Sequence, residues 1–387
     1  MMIHRVISLP ERGSLFLFGP RQTGKSTLID ARYTKSVWRV DLLLNEPFFA
    51  YARDPGLFRK EALEKIRRER IQTIVLDEVQ RVPALLNEVQ ALMQETSCQF
   101  ILLGSSARKL RRGGANLLAG RAVERRLFPF VAEELKDQFD LQEALRFGTL
   151  PPILGRNRQE QVDILSTYVH TYLREEIQSE GLARNLGGFS RFLELAASQC
   201  GELVNYSAIG RECLLPTRTV QAYYDILEDT LVGLRLEPWR ASLRKRLLAH
   251  PKFYLFDLGV TNAINRRLTS HPDPMLMGKL FEQWVVLETH RLLHYRSSEA
   301  RLFFWRTQHG AEVDLLIERH GKIQAAIEIK STAKVAGAHL SGLRAFRAEH
   351  PQVPCWLVCT APHVFQMERM DVLPWRVYLQ RLPALLT

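Results

Sequence analysis

The nine residues Gly19-Pro20-Arg21-Gln22-Thr23-Gly24-Lys25-Ser26-Thr27 constrain this chain more than any other stretch. They hold the spacing G-x-x-x-x-G-K-S between an apolar run, Leu15-Phe16-Leu17-Phe18, that reads as a buried strand, and Leu28-Ile29-Asp30-Ala31, which reads as a helix. The strand–loop–helix setting gives the spacing its meaning. Gly19 and Gly24 let backbone N–H groups turn inward around phosphate at the positive end of a helix. Lys25 then reaches the β and γ phosphates of ATP, and Ser26 offers a hydroxyl to Mg²⁺. Arg21, Gln22, Thr23 and Thr27 belong to the same candidate ATP-binding loop.

A second element answers the first. Thr73-Ile74-Val75-Leu76 is a β-branched, apolar strand ending in Asp77-Glu78. Asp77 is placed to hold Mg²⁺ through water, and Glu78 to orient the water that attacks the γ-phosphate. An acidic pair after a strand is also a common helix cap. Phe100-Ile101-Leu102-Leu103 is a third buried strand, with Gly104-Ser105-Ser106 at its end, where ligands collect in parallel sheets. Ser105 or Ser106 is a candidate γ-phosphate contact; a plain turn is the alternative.

The loop at 19–27, Leu76-Asp77-Glu78-Val79-Gln80 and Gly104-Ser105-Ser106-Ala107 together resemble AAA-type P-loop ATPases of a broad prokaryotic family. Leu118-Ala119-Gly120-Arg121 is similar to that family's pattern, in which an arginine follows a glycine at the end of the core. The resemblance covers nearly the whole chain. It implies ATP hydrolysis with Mg²⁺, self-association into oligomers, and Arg121 as γ-phosphate sensor or arginine finger, with Arg125 and Arg126 as alternatives.

Gly148 and the prolines at 151 and 152 mark a boundary, and a helical section follows. Leu165, Tyr168, Val169, Tyr172, Leu173 and Ile177 recur at three- and four-residue steps, the signature of a helix packed on a neighbour. Residues 203–213 and 217–227 read as two helices joined by a turn at Leu214-Leu215-Pro216, with Thr217 capping the second. Apolar strands at 231–236 and 252–256 would complete a winged helix-turn-helix, with Arg240, Arg244, Lys245 and Arg246 between them. If the second helix reads DNA, Arg218, Thr219, Gln221 and Tyr224 face the groove. A lid or protein contact is the competing use of such a module.

Pro272 and Pro274 set another boundary, followed by a helix over 278–287 that carries Glu282. Three strands follow at 301–306, 311–317 and 323–330, joined by compact turns at Gln308-His309-Gly310 and Arg319-His320-Gly321. Alternation puts Val313, Leu315 and Ile317 on one face and Asp314 on the other, and separates Ile327 and Ile329 from Glu328 and Lys330. The hairpin at 319–322 brings Asp314 almost opposite Glu328. Two carboxylates as Mg²⁺ ligands with a lysine beside them form a set suited to phosphodiester hydrolysis, and Glu282 completes it from the helix. The order helix Glu, Asp, Glu-x-Lys resembles the PD-(D/E)xK restriction-endonuclease-like superfamily, although Val313 stands where its proline would be. That resemblance implies catalytic roles for Asp314, Glu328 and Lys330. An exposed sheet face carrying a salt bridge is the structural alternative.

The organisation expected is therefore α/β throughout: a P-loop AAA-type parallel-sheet domain over 1–150, a helical and winged-helix domain over 151–270, and a restriction-endonuclease-like α/β domain over 271–387. Lysines and arginines number 53 against 42 acids, a net charge of +11, which favours a polyanionic partner without naming it; with the helix-turn-helix and nuclease-like readings, the partner expected is nucleic acid, DNA rather than RNA. The start carries no secretory signal and no run is long enough to span a membrane, so no membrane partner is expected. Cys98, Cys200, Cys213, Cys355 and Cys359 form no C-x-x-C pair and suit reduced thiols in a cytoplasm. The function these features support is an ATPase coupled to a metal-dependent, nuclease-like domain acting on DNA. The alternative is an ATP-dependent switch whose nuclease-like fold binds nucleic acid or protein without cutting.

Overall fold

Leu15, Phe16, Leu17 and Phe18 are withdrawn from solvent and, with Ser14, form an inner strand, β1 (Ser14–Phe18), in the computed structural model of the chain. The structure describes residues 3–106, 108, 110, 118–173, 186–239 and 250–386. By internal contacts the chain divides into two units, Met1–Phe130 with Ile226–Val232, and Val131–Asp225 with Gly233–Thr387.

The first unit is built on a five-stranded sheet of β1, β2 (Val37–Asp41), β3 (Thr73–Asp77), β4 (Gln99–Gly104) and β5 (Ala122–Arg126), ordered β2-β3-β4-β1-β5 with every pair parallel. An all-parallel sheet is covered on both faces, which is why its strands read as continuous apolar runs rather than alternating ones. Phe16, Phe18, Ile74, Leu76, Phe100 and Leu102 share one core with the apolar side of helix Leu85–Glu95. Helix Pro55–Arg68 begins with proline after Asp54, whose carboxylate accepts the Gly56 N–H at 3.0 Å, and ends in Lys65, Arg67 and Arg68. Both ends thus complement the helix dipole. In the strand order β4 lies between β1 and β3, so the loops after β1 and β3 open at the same carboxyl edge.

The second unit contains an eight-stranded mixed sheet: β6 (Gly233–Pro238), β7 (Lys252–Leu255), β8 (Arg301–Arg306), β9 (Glu312–Arg319), β10 (Lys322–Lys330), β11 (Cys355–Cys359), β12 (Phe365–Met367) and β13 (Met370–Pro374), ordered β12-β13-β11-β10-β9-β8-β6-β7. The two strands expected as a wing, β6 and β7, pair antiparallel with each other and form one edge of this sheet. Glu237 and Pro238 run parallel to Phe303 and Phe304, a pairing distant in sequence that local patterning does not reveal. The basic residues between those strands, Arg240, Arg244, Lys245 and Arg246, lie outside the described residues.

Helix Arg158–Thr167 continues into a π-helical stretch, Tyr168–Leu173, in which Tyr168 and Val169 are buried as expected; Ile177 lies outside the described residues. The helix-turn-helix is present as Tyr206–Cys213, capped by Asn205, and Thr217–Asp229, with Leu214 left-handed in the turn (φ 56°) and Thr217 as the first residue of the second helix. One expectation fails there. Tyr224 is 1% exposed and packs on Phe192 and Phe253 at centroid distances of 4.9 and 4.7 Å, so it belongs to the core and not to a reading face. Val220, Tyr223, Tyr224 and Leu227 form the buried stripe of that helix, leaving Arg218 and Gln221 exposed.

The helix carrying Glu282 is longer than the sequence suggests, spanning Pro274–Tyr295. Pro274 opens it as the first helical residue, Asp273 caps it by accepting the Leu276 N–H at 2.8 Å, and Gly278 falls inside. The five cysteines are all free and buried, and Cys355 and Cys359 share a core with Leu357. No helix among the described residues is long and apolar enough to cross a membrane.

Candidate functional site

The loop after β1 has the shape its glycines permit. Gly24 is left-handed (φ 88°) at the start of helix Lys25–Arg32, and Gln22 is left-handed too (φ 64°), backbone conformations that let successive N–H groups converge into an anion-receiving concavity. At Gly19 a Cβ would overlap the Leu127 carbonyl oxygen, so the loop passes where only glycine fits. Thr23, buried, donates to the Pro20 carbonyl at 2.9 Å. Lys25 Nζ donates to the carbonyls of Gly19 (2.7 Å) and Pro20 (3.0 Å). Ser26 and Thr27 are exposed at the first turn, and Ser26 Oγ donates to Asp77 Oδ2 at 2.7 Å.

Two features of this site escape motif reading. Arg5 is buried and donates to the Thr23 carbonyl at 3.0 Å and the Phe128 carbonyl at 2.6 Å, with its guanidinium 4.4 Å from the Phe130 ring centroid. It ties the loop to the segment after β5. Gln80 is also buried, and its amide nitrogen donates to Glu78 Oε2 and to Ser105 Oγ, the latter at 3.0 Å. Glu78 itself is buried and left-handed (φ 56°), an unfavourable setting for a side-chain-bearing residue. The Gln80 amide links Glu78 to Ser105, and Gly104 makes room for it, since a Cβ there would lie 2.5 Å from Gln80 Oε1.

Arg121 is exposed, one residue before β5. Arg125 donates to the Ser8 carbonyl at 3.0 Å, and Arg126 pairs with Glu124 at 3.2 Å. Arg108 pairs with Asp229 at 2.5 Å, while Lys109, Arg111 and Arg112 lie outside the described residues.

In the second unit the hairpin does bring Asp314 beside Glu328, through a bulge. Arg319 pairs with Lys322 and Glu318 with Ile323; the register then shifts between Ile323 and Ala325, so that Leu315 faces Ile327 and Asp314 comes next to Glu328. Lys330 Nζ lies 2.6 Å from Glu328 Oε1 and 3.6 Å from Asp314 Oδ2, and the Ile329 N–H donates to Asp314 Oδ2 at 2.8 Å. The strand face is not exposed: Asp314 and Glu328 are both buried. Burial, then the neighbouring Asp314, push the Glu328 carboxyl up to about 8, against the pull of Lys330.

Glu282 joins them through a partner that sequence reasoning missed. Lys252 on β7 is 4% exposed, and its Nζ lies 3.0 Å from Glu282 Oε1, 2.6 Å from Glu312 Oε1 and 3.9 Å from Asp314 Oδ1. Tyr254, two residues along the same strand face, donates to Glu282 Oε1 at 2.7 Å. Arg306 holds Glu312 Oε2 at 2.8 Å. Buried as it is, Lys252 is held well above the ordinary lysine range by Tyr254, Glu282, Asp314 and Glu312 around it, so it is charged. A cleft of about 450 Å³ opens here, lined by Glu202, Lys252, Lys279, Glu282, Arg306 and Glu312 among others.

The two candidate metal sites differ in how their donors suit Mg²⁺. Ser26 and Asp77 present a hydroxyl and a carboxylate to one another at hydrogen-bond distance, the hard-oxygen pair that Mg²⁺ bound to a nucleotide takes, and they fit. Glu282, Asp314 and Glu328 do not fit. Their charge is met by Lys252 and Lys330, and the Lys252 ammonium stands between Glu282 and Glu312. Among the described residues no group of three or more His, Cys, Asp and Glu is arranged to hold a metal ion.

Three family models match successive parts of the chain. Residues 11–136 match the family described as AAA domain, residues 138–271 a domain of unknown function (DUF8612), and residues 277–378 a domain of unknown function (DUF4143). Uncharacterized proteins of Mycobacterium tuberculosis and Mycobacterium bovis are each 28% identical over 324 residues, covering 82% of this chain and 70% of theirs. An uncharacterized protein of Haemophilus influenzae is 24% identical over 267 residues, 62% of this chain and 66% of its own. Among solved structures, the Aeropyrum pernix ORC1 protein in complex with DNA covers 66% of this chain and 87% of that chain, with 15% identity and a TM-score of 0.29. Residues 11–136, which match the AAA domain family, carry the parallel α/β sheet and the phosphate loop described above.

Proposed function

We propose that this protein is an ATP-hydrolysing switch that grips nucleic acid, DNA rather than RNA, through its second unit. The observation that carries the first half is the Ser26–Asp77 contact of 2.7 Å beside a left-handed phosphate loop with Lys25 at its end. In this reading the N–H groups of residues 19–25 and Lys25 bind the phosphates, Ser26 and Asp77 hold Mg²⁺, Glu78 orients the attacking water, and Ser105 senses the γ-phosphate. Bound Mg²⁺ would neutralise charge on the β and γ oxygens. Arg121, exposed, is the candidate for completing the site as an arginine finger, which would require a second copy of the chain.

The second half rests on the net charge of +11 and on the exposed Arg218 and Gln221 of helix Thr217–Asp229. A helix presented this way suits the wide major groove of DNA, which A-form RNA does not offer to side chains. The residue order Glu282, Asp314, Glu328, Lys330 resembles that of restriction-endonuclease-like enzymes, yet ammonium groups already neutralise these carboxylates, which favours binding without cutting. The expected result is ATP hydrolysis that Lys25→Ala abolishes, and duplex DNA binding that weakens steeply with salt and with Arg218→Glu. DNA affinity unchanged between 50 and 200 mM salt would refute the nucleic-acid half.

A second reading, a metal-dependent endonuclease, is favoured by one observation: Glu328 Oε2 is buried without a hydrogen bond, facing the same side as Asp314 and Lys330. Cutting of DNA with Mg²⁺ or Mn²⁺ that stops in Asp314→Ala would establish it.

A further inference from the structure

The carboxylates of the second unit converge as metal ligands do, but a side chain of the same unit already provides the cation. Lys252 enters from β7, at the sheet edge, and its ammonium has close partners in Glu282 Oε1 and Glu312 Oε1, a longer one in Asp314 Oδ1, and the Phe304 ring at 5.7 Å. An ammonium has three donors, which these oxygens can absorb. Mg²⁺ would instead need about six oxygens at roughly 2.0–2.1 Å, and Tyr254 and Arg306 occupy further lone pairs of Glu282 and Glu312.

We propose that Lys252 is the resident cation of this cluster, standing where a divalent metal would otherwise be held by Glu282, Glu312 and Asp314, so that the domain works without metal. The inference deepens the switch reading above and rests on its claim that the nuclease-like fold is non-catalytic. It has a specific consequence. Removing the ammonium would leave Glu282, Glu312 and Asp314 without the cation they share, beside a cleft of about 450 Å³ that admits water as further ligands, so loss of Lys252 should create a divalent-cation site.

The test is Mn²⁺ titration of the nucleotide-free full chain, followed by electron paramagnetic resonance. Wild type and Asp314→Asn should take up Mn²⁺ alike, within about twofold. Lys252→Ala should gain one ion, bound at least tenfold tighter than anything wild type binds, and adding Glu282→Gln should abolish the gain. Because a buried ammonium is being removed, Lys252→Gln serves as a second variant, and thermal melting establishes which of the two is folded. Wild-type uptake that falls tenfold in Asp314→Asn overturns the proposal without any Lys252 variant, as does a folded Lys252 variant with no gain. ATP hydrolysis and DNA binding by the same wild-type protein report separately on the switch: their absence with the Mn²⁺ pattern intact would refute that reading and leave Lys252 in its role.

Discussion

Ser26 Oγ donates to Asp77 Oδ2 across 2.7 Å, which joins the first turn after the phosphate loop to the end of β3. The two strands that deliver these residues, β1 and β3, are separated by β4, so the contact is a product of the strand order and not of sequence proximity. Asp77→Asn keeps a hydrogen-bond acceptor for Ser26 and removes the charge. Phosphate release should therefore fall by about a hundredfold or more, while binding of a fluorescent ATP analogue changes only a few-fold. Lys25→Ala should show the reverse emphasis, losing nucleotide binding outright. Equal loss of binding in both variants would argue against separate roles.

Arg5 provides a second test of the same site. Its guanidinium bridges the carbonyls of Thr23 and Phe128 from within the protein, so it shapes the loop without being placed to touch substrate. Arg5→Met retains much of the stem and loses both bonds. The KM for ATP should rise by about tenfold or more as the loop loses its anchor, accompanied by a melting temperature several degrees lower. Arg5→Lys, which retains one donor group, should recover part of the KM. A lower melting temperature with unchanged KM would reduce Arg5 to a structural role.

What could be read in the sequence divides along the same line. The phosphate loop, the Asp77-Glu78 pair and the strands that carry them are local patterns, and strand-then-helix spacing suffices to place them. The juxtaposition of Asp314, Glu328 and Lys330 was also legible, because a tight turn fixes strand register; the bulge at Gln324 that completes the alignment was not. Lys252 was invisible for a different reason. It sits on a strand that reads as part of a wing, and only the pairing of β6 with β8 brings that strand into the sheet bearing the acids. Position on the second helix does not reveal that Tyr224 is core, because its aromatic neighbours Phe192 and Phe253 come from other elements. Arg5 and Gln80 carry no motif; the weak signal for Arg5 is a lone arginine entering an apolar segment at Val6 and Ile7.

Gly342 tests the packing behind the carboxylates. It lies in helix Ser341–Glu349, where a Cβ would overlap the Glu312 carbonyl oxygen and come within 3.1 Å of Glu328 Oε2. Alanine is the better helix former by about 1 kcal/mol, so a purely local account predicts stabilisation. Overpacking against backbone should win, with Gly342→Ala destabilising by about 1–3 kcal/mol in urea unfolding. A Gly342→Ala protein more stable than wild type would mean that the helix can withdraw from β9.

Glu288 gives the chain a pH dependence with a predictable sign. It is 0% exposed on helix Pro274–Tyr295; Oε2 accepts the Ala132 N–H at 3.0 Å, Oε1 has no hydrogen bond, and Arg291 stands 3.8 Å away. Burial pushes its carboxyl up from 4.5 to about 7, with Arg291 and the Ala132 N–H pulling the other way. The native state therefore keeps a proton that the unfolded chain releases above its own pKa of 4.5. This group's contribution is most favourable below that value and declines as the pH rises through about 7, the opposite of a salt-bridged carboxylate with a depressed pKa. Glu288→Gln retains an acceptor for Ala132 and cannot titrate. Between pH 5 and pH 8 wild type should lose on the order of 2–3 kcal/mol of unfolding free energy more than the variant, measured by urea titration at each pH. Parallel pH profiles for the two proteins would show that Glu288 has no raised pKa in the folded state.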